Sequence, residues 1–241
     1  MNVQVKIMFW NARCICGKII EFFNFLIHKN IDICLVNETW LNERIRLSQP
    51  MFNVLRVDRP NRQGGGVAIV IKKKIKYQQL ESMKTNVMEN IGMSIDFDQF
   101  SFKLFCVYFP FSGRTSDLMP LYRRDIRKLL SIRGKYILCG DLNSKHRNWG
   151  CPRANVYGNL LNDLTLHIPF TIMYPNDPTH IPTSSRARPS TIDIILTNIP
   201  NYISQPNVLD SLSSDHFPVM FSLNASYREQ ENIRYNYNKT N

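Results

Sequence analysis

The chain has 241 residues, 44% of them apolar, which is enough for a sizeable core and excludes global disorder. Lysine and arginine outnumber aspartate and glutamate by 30 to 19, and the resulting net charge of +11 favours a polyanionic partner such as nucleic acid. No apolar run approaches the ~20 residues that a membrane helix requires, and the first residues lack a signal-peptide layout.

The first half of the chain alternates strand patterns with one helical pattern. Residues 3–9 alternate apolar and polar side chains, which is strand periodicity. Residues 17–29 repeat apolar side chains at the spacing of an amphipathic helix. Further strands are predicted at 31–37, 66–71, 91–97 and 102–109.

The second half continues the same interleaving. Residues 175–190 are rich in proline and serine and predict a long surface loop. Interleaved strands and helices without an internal repeat favour one mixed-sheet α/β domain over 1–223, followed by a polar tail or linker at 224–241. The predicted elements are helices at 116–130 and 155–166 and strands at 135–139, 192–197 and 217–223.

Six cysteines show neither a disulfide framework nor the paired spacing of a zinc site. Cys14 and Cys16 form one close pair, but no second pair completes a metal site. The thiols are therefore predicted to be reduced, which is typical of a nuclear or cytosolic protein.

Polar and ionisable side chains recur at the ends of the predicted strands. Each alone has an ordinary explanation as a turn residue, a cap or a surface charge, but functional groups of α/β proteins gather at strand ends. Oxygen donors suit Mg²⁺ or Mn²⁺, and a basic protein with such donors points to phosphodiester hydrolysis. That reaction needs a carboxylate to activate water and positive charge for the developing oxyanion. The set is Asn11, Glu38, Tyr108, Asp141, Asn143, Asp193, Ser214, Asp215 and His216.

Over roughly residues 4–223 the chain resembles the endonuclease/exonuclease/phosphatase superfamily. Finer details resemble the endonuclease domain of non-long-terminal-repeat retrotransposons, the jockey-like branch in particular. The resemblance implies a four-layer α/β sandwich in which two packed mixed β-sheets are flanked by helices. The superfamily segments are WNARC (10–14), NETW (37–40), VYFP (107–110), GDLNSKH (140–146), STIDIILT (190–197) and SSDHFPV (213–219). The retrotransposon details are RQGGGVAIVI (62–71), KHRNWG (145–150), YGNLLNDL (157–164) and a PT…RPS stretch with Pro178-Thr179 and Arg188-Pro189-Ser190.

The resemblance implies a metal centre and a general base. It assigns Glu38 and Asn11 to a Mg²⁺ ion, with Mn²⁺ as a possible substitute. It assigns Asp141 to the deprotonation of the attacking water and Asn143 to holding that water and the phosphate. Alternation along an extended strand places Asp141 and Asn143 on one face, where both reach the same water.

The resemblance also implies groups that contact the phosphate. His216, hydrogen-bonded to Asp193, would contact a phosphate oxygen as an imidazolium, which the neighbouring carboxylate favours. Tyr108 would donate to the same phosphate. Asp215 would assist the metal or orient the histidine, and Ser214 would steady the phosphate.

DNA contacts are predicted in the loop and near the first strand. Arg186 and Arg188 lie in the 175–190 loop, which is long enough to enter a groove of DNA. The resemblance places Arg13 where many relatives carry asparagine or aspartate, and in abasic-site enzymes an aspartate there helps to hold the metal. Three outcomes stay open there: Glu38 and Asn11 suffice, metal affinity is low, or Arg13 contacts a DNA phosphate.

The implied function is nicking of double-stranded DNA to leave a 3′-hydroxyl. That hydroxyl would prime reverse transcription of the element's RNA, carried out in the nucleus by a reverse transcriptase outside residues 1–241. The alternatives are a repair-type abasic-site endonuclease and a catalytically weak DNA-targeting module. A lipid or inositol-phosphate phosphodiesterase is disfavoured because STIDIILT replaces the W-C-D-R signature of those enzymes.

Overall fold

The computed structural model describes residues 4–60, 64–97, 101–111, 113–184 and 186–224. Within these ranges two six-stranded mixed sheets pack face to face and carry helices on their outer sides. The predicted four-layer α/β sandwich is thereby confirmed. None of the helices in these ranges combines the length and the apolar character that crossing a bilayer requires.

The first sheet holds the N-terminal strand at its centre. Its members are β1 (Val5–Asn11), β2 (Ile33–Asn37), β3 (Phe52–Val57), β4 (Val67–Lys72), β11 (Asn207–Val208) and β12 (Val219–Leu223), in the spatial order β11-β12-β1-β2-β4-β3. β1 and β2 run parallel, and their register pairs Asn11 with Asn37. The two strands therefore end level with each other.

The second sheet has the same size and the same mixture of directions. Its members are β5 (Gln78–Leu80), β6 (Glu89–Asp96), β7 (Ser101–Tyr108), β8 (Tyr136–Asp141), β9 (Thr171–Met173) and β10 (Asp193–Thr197), in the spatial order β5-β6-β7-β8-β10-β9. β8 and β10 are antiparallel, and their register pairs Asp141 with Asp193. The end of one strand thus lies beside the start of the other.

Three apolar layers hold the sandwich together. The inward faces of both sheets form a central core of buried aliphatic and aromatic side chains. Helix α1 (Ile19–His28) packs Phe22 and Phe23 onto the outer face of the first sheet. Helices α2 (Thr115–Leu130) and α3 (Val156–Leu164) cover the second sheet.

The predicted strands and helices are confirmed with small shifts of their boundaries. The sequence patterns missed β3, β5, β9 and β11, and these four strands are the edges of the two sheets. The 175–190 segment is a loop as predicted, apart from isolated pairing of His180. Residues 62–63 of the glycine-rich stretch and nearly all of the predicted tail, 225–241, lie outside the described residues, and the domain boundary at 223 stays a prediction.

Helix α3 lies directly against the segment that follows β8, and a glycine permits this approach. A Cβ atom at Gly158 would lie 1.9 Å from the carbonyl oxygen of Lys145. The side chain of Asn155 caps the helix by accepting from the Gly158 amide at 2.8 Å, and it also accepts from the Lys145 amide at 3.0 Å. The position of Lys145 is therefore set by α3.

We predict that Gly158→Ala lowers the free energy of unfolding by about 1–3 kcal/mol, because the added methyl group overlaps backbone that cannot move freely. Urea unfolding followed by circular dichroism measures this change. Gly17→Ala is the matched control, since nothing lies within 4 Å of a Cβ atom there. Equal stability of the two variants would show that α3 and the Lys145 segment can separate at little cost.

Candidate active site

A cross-sheet hydrogen-bonding side chain fixes where the strand ends meet. Asn37, at the end of β2, accepts a 2.9 Å hydrogen bond from the Asp141 amide of the opposite sheet. Its Nδ2 donates to the Val107 carbonyl at 3.2 Å. The ends of β1, β2 and β8 are thereby gathered at one edge of the sandwich.

A glycine makes this close contact possible. Gly140 has a φ of 147°, and a Cβ atom there would lie 1.9 Å from the Val107 carbonyl oxygen and 2.7 Å from Asn37 Oδ1. Any other residue at this position would push β8 away from its neighbours. Glycine at position 140 therefore allows β8 to lie close to Val107 and to Asn37 of the opposite sheet.

The backbone turns sharply where these strands end. Glu38, Trp40 and Asn143 adopt φ values of 50°, 53° and 47°, and Arg13 has a φ of 42°. Left-handed backbone is unfavourable for residues other than glycine and clusters at functional sites. Here it directs the side chains that leave the strands back toward the common edge.

The predicted strand-face relation of Asp141 and Asn143 is wrong. β8 ends at Asp141, and the left-handed turn at Asn143 takes that residue off the strand. The turn nevertheless brings the two residues together: the Asn143 amide donates to Asp141 Oδ1 at 2.9 Å, and Asn143 Nδ2 lies 3.4 Å from Asp141 Oδ2. Asn143 Nδ2 also donates to the Phe109 carbonyl at 2.9 Å.

Asn11 joins two carboxylates from different sheets. Its Nδ2 donates to Glu38 Oε1 at 2.9 Å and to Asp141 Oδ2 at 3.0 Å. Its Oδ1 accepts from the Arg13 amide at 3.1 Å, which fixes the orientation of the carboxamide. Asn11 thus presents nitrogen to the carboxylates, and its role as a metal ligand stays a prediction.

Tyr108 also contacts Glu38. Its hydroxyl donates to Glu38 Oε1 at 2.8 Å, while Trp40 Nε1 donates to Oε2 at 3.2 Å. Burial, with the nearby charge of Glu38, raises the pKa of Tyr108 well above its usual range. The hydroxyl is therefore protonated, and its one proton is donated to Glu38 in this structure. Its predicted contact with a phosphate stays a prediction.

Asp193 holds His216 against the same edge. The two side chains are joined by a 2.8 Å contact between His216 Nδ1 and Asp193 Oδ2, and His216 Nε2 faces Asp141 Oδ2 at 3.9 Å. The buried Thr179 hydroxyl donates to the same Asp193 oxygen at 2.7 Å. Within the described part of the chain, Asp193 Oδ1 has no hydrogen-bond partner.

Burial and neighbouring charge shift the pKa values of both His216 and Asp141. Burial alone would lower the pKa of His216, but the charge and hydrogen bond of Asp193 outweigh burial and raise that pKa to about 9. Burial, followed by the charge of Asp193, raises the pKa of Asp141 to about 7. A cationic imidazole thus faces a carboxylate that can accept a proton near neutral pH.

Sequence reasoning missed the roles of Thr179 and His180. The His180 ring lies 4.5 Å from the His216 ring, and its Nε2 lies 3.7 Å from Asp215 Oδ2. Burial, together with the charge of His216, lowers the pKa of His180. Both residues lie in a long loop ahead of Asp193 that carries no periodic pattern, and the resemblance at Pro178-Thr179 assigned no role to Thr179.

Arg13 and Asp215 form an ion pair at the rim of the site. The Arg13 guanidinium donates to Asp215 Oδ2 at 2.5 Å, and about half of the arginine side chain is exposed. The predicted phosphate contact of Ser214 stays a prediction, since its hydroxyl donates to the Asn11 carbonyl at 2.9 Å. Arg186 and Arg188 lie on the exposed loop and line an open cavity.

The residues present fit a divalent cation with oxygen ligands. Glu38 Oε1 and Asp141 Oδ2 both accept from Asn11 Nδ2, so the two carboxylates lie close together at the strand ends. Asp141, Asp193 and His216 also offer ligand atoms within 4.8 Å of one another. We favour Glu38 over Asp193 as the carboxylate that would hold the cation, because the contact between Asp193 and His216 already commits their facing atoms to each other.

We predict that Asp193→Asn lowers the pKa of His216 from about 9 toward its ordinary value of 6.5 or below, because burial then opposes the imidazolium with less compensation. Nuclear magnetic resonance of the imidazole nitrogens in the metal-free protein measures the change. Asp163→Asn, at an exposed position of α3, is the control and leaves the titration unchanged. An unaltered His216 titration in Asp193→Asn would exclude Asp193 as the source of the shift.

Comparisons with curated proteins find relatives from mobile elements. The chain is 26% identical over 226 residues to an RNA-directed DNA polymerase from the mobile element jockey of Drosophila melanogaster, covering 92% of this chain and 24% of that protein. It is 27% identical over 239 residues to a probable RNA-directed DNA polymerase from the transposon X-element of the same species, covering 96% and 26%. The chain thus spans about a quarter of the length of these relatives.

Comparisons with solved structures and with protein families agree on the fold. The endonuclease domain of TRAS1, a telomere-specific non-LTR retrotransposon, superposes with a TM-score of 0.72 at 19% identity, covering 95% of this chain and all of that domain. The Xenopus laevis APE2 catalytic domain gives 0.73 at 17% identity, with 94% of each chain covered. Residues 8–216 match the Endonuclease/Exonuclease/phosphatase family. The chain belongs to the endonuclease/exonuclease/phosphatase family.

Proposed function

We propose that the chain is a divalent-metal-dependent DNA endonuclease domain that nicks one strand of a duplex. The observation that carries this proposal is the buried Asp141 carboxylate, which Asn11 and Asn143 hold opposite His216. The net charge of +11 supports a polyanionic substrate. Membership of a nuclease and phosphatase family supports phosphodiester hydrolysis as the reaction class.

The geometry supports a division of labour between these groups. Asp141 would take a proton from the attacking water, whose oxygen forms a bond to phosphorus as the bond from phosphorus to the 3′-oxygen breaks. The leaving 3′-oxygen would take up a proton from solvent water and become the 3′-hydroxyl. The His216 imidazolium and the Tyr108 hydroxyl would donate to the phosphate oxygens, where negative charge develops. A divalent cation at Glu38, when bound, would act as a Lewis acid beside the phosphate.

The products proposed for this reaction are a 3′-hydroxyl and a 5′-phosphate. The 3′-hydroxyl would prime reverse transcription of element RNA in the nucleus, by a reverse transcriptase in the remainder of a longer protein. The named relatives, RNA-directed DNA polymerases of which this chain spans about a quarter, support this context. Arg186 and Arg188 would contact the DNA duplex from the exposed loop.

We predict that the chain nicks supercoiled plasmid with Mg²⁺ or Mn²⁺ and that EDTA abolishes nicking. Asp141→Asn is expected to slow nicking by about 10²–10⁴-fold, because it removes the group that accepts the proton. Gel separation of supercoiled and open-circular plasmid measures the rate. Asp163→Asn, which removes an exposed carboxylate away from the site, is the control and keeps the wild-type rate.

Two results of this assay would contradict the proposed function and favour another one. Binding of DNA without nicking under either metal would identify a DNA-targeting module with a weak site. Cleavage confined to duplexes that contain an abasic site would identify a repair-type endonuclease.

We predict that Arg13→Ala raises the affinity for Mn²⁺. The Arg13 guanidinium neutralises Asp215, so its removal makes the site more negative. The affinity is expected to rise roughly five-fold, which corresponds to one partly exposed charge interaction of about 1 kcal/mol. Isothermal titration calorimetry measures this, with the exposed Arg44→Ala as control. Unchanged Mn²⁺ affinity combined with weaker DNA binding would instead assign Arg13 to a DNA phosphate.

A further inference from the structure

A basic cavity lies beside the candidate active site. It has a volume of about 380 Å³ and is open to solvent on one side. One wall comes from the segment after β8, through Lys145 and Arg153, and the other from the 175–190 loop, through Arg186 and Arg188. The remaining lining residues are uncharged: Pro152, Ala187 and Ser190.

The four cationic side chains of this cavity differ in their ion pairing from three other cationic side chains of the fold. Arg13 pairs with Asp215, Arg59 with Glu89, and Lys72 with Asp32. Within the described part of the chain, by contrast, no carboxylate forms an ion pair with a cavity cation. Four like charges around one cavity repel one another, so the cavity favours an anionic occupant.

The two walls are held in a fixed relation. The Cys151 thiol lies 3.2 Å from the Thr191 carbonyl oxygen, which joins the segment after β8 to the end of the loop. Ser190 exchanges backbone hydrogen bonds of 2.9 and 3.1 Å with His180. The cavity is therefore anchored to the fold, although three of its cationic side chains are exposed.

The cavity also lies close to the reacting groups along the chain. Lys145 is two residues beyond Asn143, and Ser190 is three residues ahead of Asp193. Three residues span at most about 10 Å, so an anion in the cavity would lie within a few nucleotides of a phosphate at Asp141.

We propose that this cavity is an accessory site for one phosphodiester group of the DNA backbone near the scissile bond. The inference rests on the proposed function and adds a substrate requirement to it, namely backbone that extends beyond the scissile bond. The volume suits a nucleotide unit better than a bare phosphate ion. The donors are arginine and lysine side chains, which bind phosphate oxygens by charge-assisted hydrogen bonds and carry no sequence information.

The test is the salt dependence of DNA binding in EDTA, where the chain does not cut. Fluorescence anisotropy of a short labelled duplex gives the dissociation constant at a series of NaCl concentrations. The double variant Arg153→Ala with Arg188→Ala is expected to weaken binding by about ten-fold or more. The plot of log affinity against log salt has a negative slope, and its magnitude is expected to decrease by about 0.9 for each phosphate that the variant no longer neutralises.

A matched control removes the same charge elsewhere. Lys73 and Lys76 line another basic cavity, at the Lys72 end of β4. The opposite end of β4, at Val67, pairs with Asn37 of the candidate active site. Lys73→Ala with Lys76→Ala is expected to leave the slope unchanged. Equal effects of the two double variants would reduce the cavity to general surface charge and overturn the inference. The inference would also be overturned if Arg153→Ala with Arg188→Ala weakened binding of an RNA duplex but left binding of the DNA duplex unchanged.

Nicking assays separate this inference from the proposed function. Asp141→Asn is expected to keep the wild-type salt slope while losing activity. A chain that shows the cavity-dependent slope but never nicks refutes the proposed function alone. A chain that nicks plasmid while the cavity variant binds like wild type refutes the accessory site alone. Urea unfolding midpoints equal to wild type show that both double variants are folded.

Discussion

The two sheets of the sandwich are joined at their functional edge by the hydrogen bonds of one buried carboxamide. Asn37 belongs to the first sheet, yet it accepts from the Asp141 amide and donates to the Val107 carbonyl in the second. The contact is polar and directional, so it fixes the relative height of the sheets where apolar packing alone would permit sliding. The distances among the side chains at this edge depend on it.

The same edge concentrates groups that oppose folding. Asp141 and Asp193 are paired in register and buried, and burial together with the charge of Asp193 raises the pKa of Asp141. Glu38 and Asn143 leave their strands in left-handed backbone conformations. The fold tolerates this cost because Asn11, His216 and Thr179 satisfy most of the buried oxygens. Under the proposed function, a phosphate and its cation would meet side chains that are already oriented.

The sequence predicted those parts of the fold that leave a periodic pattern. Central strands such as β2 and β4 are covered on both faces and read as apolar runs, whereas an edge strand such as β5 (QQL) is short, paired on one side and largely exposed. The grouping of Asp141, Asp193 and His216 followed from their positions at strand ends. Thr179 and His180 could not be found in this way, because their contacts come from loop residues paired across the tertiary fold.

The link between Cys151 and Thr191 has a consequence for engineering. The segment from Lys145 to Arg153 and the loop that ends at Ser190 form one structural unit, with α3 packed beneath it. A graft that exchanges the loop alone between relatives would leave one wall of the cavity facing a foreign partner. Exchange of residues 145–190 as a block preserves both walls and the Gly158 contact, so this block is the natural module for transferring the whole cavity between relatives.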